Sequence, residues 1–334
     1  MTPATEPPLL RVDRLRTVFP VAGGEAAAVD GVSFDIRRGE TLGLVGESGS
    51  GKSVTALSIV RLVPPPGRIA GGRIELDGRD VLDFDARAMR DVRGRRIGFV
   101  FQEPAAALNP VFSIGSQIAE TVAAHGLARG AAARARAVDL LDAVRVPDPA
   151  RRAREYPHEL SGGLKQRAMI ALALAADPDL VIADEPTTAL DATVQAEVLD
   201  LLRDLRARFH LSLLLITHDL GVVAAIADRV AVMYAGRIVE SGPVDRLFAS
   251  PAHPYTRGLL ACIPGQQPGP RLSAIPGVVP RLGQLPRGCA FAPRCDRRFD
   301  PCAAAPPGVS SIEAGHDARC YLYGPDTDGA EHPA

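Results

Sequence analysis

The sequence predicts an α/β fold with an inserted helical subdomain and a small Cys/Pro-rich extension, and three observations predict it. A short apolar run, Thr41–Val45, enters a glycine-rich loop and then a helical pattern. Residues 113–176 become helical and Ala-rich throughout. Strand and helix patterns then alternate again until about Ser250, where Pro, Gly and Cys take over. The 334 residues suggest about two domains. With 46% hydrophobic and 23% charged residues the chain can bury a full core. A formal net charge of −1 excludes the overall basic field of a nucleic-acid binder. The longest apolar run, Ala168–Ala176, falls well short of the ~20 residues that span a bilayer. The start, MTPATEPPLL, lacks the basic-then-apolar pattern of a signal peptide. The expectation is a cytoplasmic chain whose membrane role is peripheral.

Residues 1–8 and 323–334 read as disordered tails. Short strand patterns follow at Leu10–Phe19, Ala27–Val29, Val32–Ile36 and Thr41–Val45, with Gly23-Gly24 and Arg38-Gly39-Glu40 as turns. Lys52–Val63 reads as a helix stopped by Pro64-Pro65-Pro66-Gly67. Asp77-Gly78 marks a hairpin between Arg73–Leu76 and Arg79–Leu82. Ile97–Phe101 is an apolar strand leading into Gln102. Helices are expected at Ile114–His125, Ala131–Val144 and Leu164–Ala176. Strand Leu180–Ala183, helix Val194–Phe209 and strand Leu211–Thr217 follow. In that helix Val194, Val198, Leu201, Leu202 and Leu205 share one face. Arg229–Tyr234 and Arg237–Glu240 flank Ala235-Gly236 as a last hairpin.

Gly46, Glu47, Ser48, Gly49, Ser50, Gly51, Lys52 and Ser53 fit G-x-x-x-x-G-K-[ST]. Glycines let backbone N–H groups wrap phosphate oxygens, and the helix that follows turns its positive end toward them. Lys52 is expected on the β- and γ-phosphates and Ser53 on Mg²⁺. Only two Lys, Lys52 and Lys165, stand among the 38 basic residues. A flexible point charge suits the space between phosphates better than a planar guanidinium does.

Asp184 and Glu185 close an apolar strand. Asp184 is expected to hold Mg²⁺ and Glu185 to polarise the attacking water, a step worth roughly 10²–10⁴-fold for a positioned base. Gln102 and His218 also follow strands, and parallel α/β sheets bind ligands beyond strand carboxyl ends. Gln102 is therefore a candidate metal and catalytic group, and His218 a candidate contact to the γ-phosphate. Ser161-Gly162-Gly163 precedes a helix. Simple N-capping accounts for Ser161, but not for two successive glycines. Asp191 stands where it can cap the next helix.

A phosphate loop, then Leu160-Ser161-Gly162-Gly163, then a strand ending in Asp184-Glu185 resembles, in order and separation, the ATP-binding cassette (ABC) ATPases. The resemblance implies a phosphate-loop ATPase core of RecA-like mixed sheet plus antiparallel β subdomain, over 9–250, with a helical subdomain over about 103–177. It also implies that Ser161, Gly162 and Gly163 face the nucleotide of a second cassette, with Ala189-Leu190-Asp191 carrying signals across that dimer. Phe101-Gln102-Glu103-Pro104, Leu108-Asn109-Pro110 and Ile114-Gly115 resemble the permease-facing segment of oligopeptide and dipeptide importers. His253-Pro254-Tyr255-Thr256 and Gly288 to Cys320 resemble that family's C-terminal extension, here 251–322.

The implied partners are a second, paralogous ATPase subunit, two membrane permease subunits and, indirectly, an extracytoplasmic substrate-binding protein. The implied place is the cytoplasmic face of the membrane, and the implied ligands are ATP and Mg²⁺. A nickel or other small-solute importer, or a soluble ABC protein outside transport, are the alternatives. The sequence departs from the family pattern at Leu164-Lys165 after the glycines, at Thr188 where Ser is common, and at Phe19, the candidate adenine-stacking aromatic in place of Tyr. Cys289, Cys295, Cys302 and Cys320 are not spaced as the paired CxxC of a zinc ribbon. The resemblance implies a [4Fe–4S] cluster on these four, and four thiolates is its ligand count. The residues alone are compatible also with zinc, or with buried thiols that hold nothing.

Overall fold

A computed structural model describes residues 7–188, 190–263 and 275–324. Most of both expected tails lies outside these residues, as does Ala189. In chain order the elements are β1 (Leu10–Val21), β2 (Gly24–Ile36), β3 (Thr41–Val45), α1 (Lys52–Ile59), β4 (Arg68–Leu76), β5 (Arg79–Asp80), α2 (Ala86–Asp91), β6 (Ile97–Val100), α3 (Pro104–Ala107), α4 (Ile114–Ala124), α5 (Gly130–Ala143), α6 (Pro149–Arg152), α7 (Gly162–Leu174), β7 (Leu180–Asp184), α8 (Ala192–Phe209), β8 (Ser212–Thr217), α9 (Leu220–Ile226), β9 (Arg229–Tyr234), β10 (Arg237–Pro243), α10 (Val244–Ala249), α11 (Pro254–Ala261), α12 (Pro301–Ala304), β11 (Ser310–Glu313) and β12 (His316–Ala318). Strand β2 is continuous where two pieces were expected, because Gly31 adopts a φ of 69° inside it and carries the chain through without a break. Helix α1 ends before the expected Val63, since Arg61 turns left-handed at φ 52°.

The chain forms two compact units. Among the described residues one holds those up to 11, 35–41 and 75–216, and the other holds 12–34, 42–74 and 217–324. In the first, β6, β7 and β8 run parallel in register, with Ile97 beside Leu180 and Leu180 beside Ser212. Every residue of β7 and β8 is buried, as strands covered on both faces require. Gly98 of β6 lies so close to α7 that a Cβ there would stand 2.3 Å from the Ala173 carbonyl oxygen. The expected helical segment is built from α3 to α7. Ile114, Ile118 and Val122 of α4 recur every four residues and are buried, as are Ala133, Ala137, Leu140 and Leu141 of α5. Asp191 caps α8, its carboxylate accepting from Thr193 N at 3.1 Å and Val194 N at 3.0 Å.

In the second unit β2, β1 and β4 form one sheet in that order. A second sheet pairs β3 with β9 in parallel, β9 with β10, β10 with β12 and β12 with β11 antiparallel. Strand β3 feeds the phosphate loop, and its Val45 shares a core with Val232, Tyr234, Val239, Leu247, Tyr255, Leu260 and Phe291. The chain beyond 250 is thus packed into the same core as the strand that delivers the loop. No helix among the described residues is long and apolar enough to cross a membrane.

Candidate nucleotide site and the elements that build it

The phosphate loop lies in the second unit. Gly46 and Gly51 are required by close approach: a Cβ at Gly46 would stand 2.1 Å from the Met233 carbonyl oxygen, and one at Gly51 2.4 Å from that of Ala28. Gly51 also sits at φ 103°, a region that disfavours any side chain. The Lys52 side chain is buried, and its Nζ donates to Gly46 O at 2.8 Å and Glu47 O at 3.1 Å. It thereby closes the loop on itself. Ser53 follows on α1, whose first turn begins at Lys52 directly after the loop. Phe19, on β1, lies against Gly67, where a Cβ would stand 2.4 Å from its ring. His218 follows Thr217 directly and is exposed, and Asp219 beside it caps α9 through Gly221 N at 2.7 Å.

The acidic strand end lies in the first unit. Asp184 is the buried last residue of β7. Glu185 takes a φ of 48°, a conformation costing a non-glycine residue on the order of 1–3 kcal/mol. Its N–H is held by the Ile216 carbonyl at 2.9 Å. The strained turn aims its carboxylate at two donors, Thr188 Oγ1 at 2.7 Å and Gln102 Nε2 at 3.3 Å. Gln102, beyond the end of neighbouring β6, is itself exposed.

Ser161 is the N-cap of α7, accepting from Leu164 N at 3.4 Å. The helix begins at Gly162 rather than Leu164, so both glycines belong to its first turn. The reason is the cap: Ser161 closes the turn one residue after itself. Gly162 is exposed, and a Cβ there would meet only Leu190, at 4.0 Å. Nothing within the described chain explains the missing side chain.

The segment before α4 is built as a display. The Gln117 side chain, buried, accepts from Asn109 N at 2.9 Å and donates to Asn109 O and Phe112 O, each at 3.0 Å. This leaves Val111 and Phe112 pointing outward, 69% and 51% exposed.

The four late cysteines gather in the second unit. Cys289 N donates to Cys302 O at 2.8 Å, and Cys289 and Cys295 pack on the shared core. Burial pushes the Cys289, Cys295 and Cys320 thiols up, Cys320 to about 11, with repulsion among the thiols adding to it. All are free. Among the described residues no three His, Cys, Asp or Glu groups stand where they could hold a metal ion. The donor count matches a four-thiolate site; the spacing in this structure does not.

A buried polar network in the second unit has no counterpart in the sequence reading. Glu240, 1% exposed, accepts from Ala252 N at 2.7 Å and His253 N at 2.9 Å, and pairs with His316 Nε2 at 2.8 Å. His253 caps α11 by accepting from Tyr255 N at 3.0 Å, and burial lowers its pKa to about 3. Tyr255 and Arg294 reach Glu47 of the phosphate loop. In the sequence the His253–Thr256 stretch and the Gly288–Cys320 segment, which holds Arg294 and His316, carry a signal only as a family resemblance. Nothing local marks Arg294.

The family model "ABC transporter" matches residues 29–188, and "Oligopeptide/dipeptide transporter, C-terminal region" matches 239–302. A peptide import ATP-binding protein of Brucella melitensis is 52% identical over 330 residues, covering 95% of this chain and 97% of the relative. A peptide ABC transporter ATP-binding protein of Sinorhizobium fredii is 51% identical over 316 residues, covering 94% of each. Among solved structures, the dimeric ATP-binding cassette MJ0796 in a post-hydrolysis state with ADP and Pi superposes with a TM-score of 0.63 at 27% identity, covering 70% of this chain and 98% of that one. The cassette cbiO1 of Clostridium perfringens, part of the transporter complex cbiONQ, gives 0.62 at 27% identity, covering 73% and 92%.

Proposed function

The chain belongs to the ABC transporter family, as an ATP-binding protein of the oligopeptide/dipeptide type, and on that premise we propose that it is the ATP-hydrolysing subunit that energises a peptide importer. One observation carries the reading. A phosphate loop closed by a buried lysine and an acidic strand end on a strained turn occur in one chain with an importer-type C-terminal region, at 52% identity to a peptide import relative over nearly its whole length.

In this reading Gly46–Ser53 wraps the phosphates with N–H groups, and Lys52 exchanges the loop carbonyls for phosphate oxygens. Phe19 stacks on the base. Asp184, Ser53 and Gln102 supply hard oxygen donors suited to Mg²⁺, which would neutralise phosphate charge when bound. Glu185 accepts the proton of the attacking water, held by Thr188 and Gln102, and His218 contacts the terminal phosphate. Ser161, Gly162 and Gly163 serve the nucleotide of a second cassette, a paralogous subunit, and Asp191 reports on it. Val111 and Phe112 face the membrane permeases, which explains both their exposure and the Gln117 brace behind them. The chain works at the inner membrane face, supplied by an extracytoplasmic binding protein.

The [4Fe–4S] cluster is the finer part of the proposal. Its support is the number of thiols and their gathering in one region, and no step of ATP hydrolysis runs through it. Anaerobically purified protein carrying about four iron per chain supports it; colourless protein with zinc or no metal rejects it.

The transport reading is tested in vesicles holding this chain, its partner cassette and the two permeases. With the binding protein present, a di- or oligopeptide should stimulate ATP hydrolysis. Stimulation by a nickel-loaded binding protein instead would reassign the cargo.

A further inference from the structure

Glu47 is the second residue of the phosphate loop, and a carboxylate is the wrong charge for a loop that must bind phosphates. The C-terminal extension deals with it directly. Arg294 Nη1 donates to Glu47 Oε2 at 2.6 Å and Nη2 to Oε1 at 3.0 Å, a two-pronged ion pair between residues 247 apart in sequence. The Arg294 side chain is only 4% exposed. Its Nε donates to Pro276 O at 2.7 Å, and its guanidinium lies 5.8 Å from the Tyr234 ring centre and 5.9 Å from that of Phe291. Arg294 is therefore held in place, and with Glu47 31% exposed the pair is only partly open to the screening that makes exposed pairs weak.

A second tie fixes the loop backbone. Glu47 N donates to Tyr255 Oη at 2.8 Å, and Tyr255 is fully buried on α11, its ring 4.7 Å from Tyr234 and 5.3 Å from Phe291. Lys52 holds the carbonyl of the same residue. Glu47 is thus tied through its N–H and its carboxylate by two residues beyond position 250, and through its C=O by the loop's own lysine.

We propose that Arg294 and Tyr255 are positioning residues of the nucleotide site, and that the C-terminal extension sets ATP affinity by cancelling the Glu47 charge and holding the loop in its binding shape. The inference rests on the ATP-binding reading above. Arg294 lies between Cys289 and Cys295, so the segment that carries these two thiols also carries the residue that grips the phosphate loop.

The test measures MgATP affinity of the full chain by calorimetry, alongside thermal melting. Arg294→Ala should weaken binding by about tenfold or more, because it leaves an unpaired carboxylate in the loop. Arg294→Lys, which keeps the charge but not the two-pronged geometry, should recover only part of that loss. Glu47→Gln added to Arg294→Ala should also recover affinity, since no charge then needs cancelling; a residue that mattered only for folding would show no such rescue. Tyr255→Phe, which removes the acceptor oxygen and keeps the ring, should weaken binding several-fold with melting little changed. If the unaltered chain binds no MgATP, the ATP-binding reading itself falls and this inference with it. If the unaltered chain binds and Arg294→Ala binds equally well, only the inference is overturned. Failure of Glu47→Gln to rescue a folded Arg294→Ala protein overturns the charge argument. Should Arg294→Ala not fold, Arg294→Lys and Tyr255→Phe binding as tightly as the unaltered chain overturns it.

Discussion

The Gln102 amide donates to the Glu185 carboxylate from the end of the neighbouring parallel strand, at 3.3 Å. A carboxylate on a turn at φ 48° is costly to maintain, so the turn serves the position of that group rather than the fold. Glu185→Gln keeps the size of the side chain and an oxygen for both donors, and removes the proposed base. It should retain ATP binding while turnover falls by about 10²-fold or more. Turnover within a few-fold of the unaltered chain would remove Glu185 from that role. Thr188→Ala, which deletes the 2.7 Å donor, should cost far less.

Much of this arrangement is legible in the sequence because it is local. The loop Gly46–Ser53, strand β3 and the strand ending in Asp184 are each set by a handful of adjacent residues, and their bounds agree to within a residue. Helices α9 and α10, of seven and six residues, are too short for a helical period to show in the sequence. The Arg294–Glu47 pair is hidden for another reason: a basic residue among 38 gives no sign of a partner 247 positions away. In the sequence Glu240 is simply the last residue of the hairpin strand expected over Arg237–Glu240. Its burial depends on β12 arriving as a neighbour, with Ala318 opposite it, which no local pattern announces.

Gly162 offers a test that separates folding from docking. Its site is open, and replacement by Ala in a helix typically gains up to about 1 kcal/mol. Gly162→Ala should therefore melt at the same or a higher temperature. If the first turn of α7 meets a partner's nucleotide, turnover should still fall by about tenfold, equivalent to about 1.4 kcal/mol at the transition state. Unchanged turnover together with higher stability would leave the glycine without a partner to explain it.

Phe112 bears on the permease contact. A half-exposed aromatic braced from behind has the character of an interface anchor, for which truncation commonly costs about 2 kcal/mol or more. Phe112→Ala should leave ATP hydrolysis by the isolated subunit near that of the unaltered chain and abolish peptide stimulation in the reconstituted transporter. Retained stimulation would move the permease contact elsewhere.

His253 makes acid sensitivity predictable in sign. Burial holds it neutral in the folded chain, with a pKa of about 3 against 6.5 when unfolded. As pH falls below about 6.5 the unfolded chain takes up a proton that the folded chain refuses, so stability drops steadily from there toward pH 3 and is unaffected above pH 7. His253→Asn keeps an acceptor for Tyr255 N, which the histidine Nδ1 now serves at 3.0 Å, and removes the titration. Denaturant unfolding at pH 6 and pH 5 should show the unaltered chain losing about 1 kcal/mol more than the variant over that unit. Equal losses would mean that His253 is protonated without opening the core. The cap it makes on α11, and through Tyr255 the grip on Glu47, would then persist in acid.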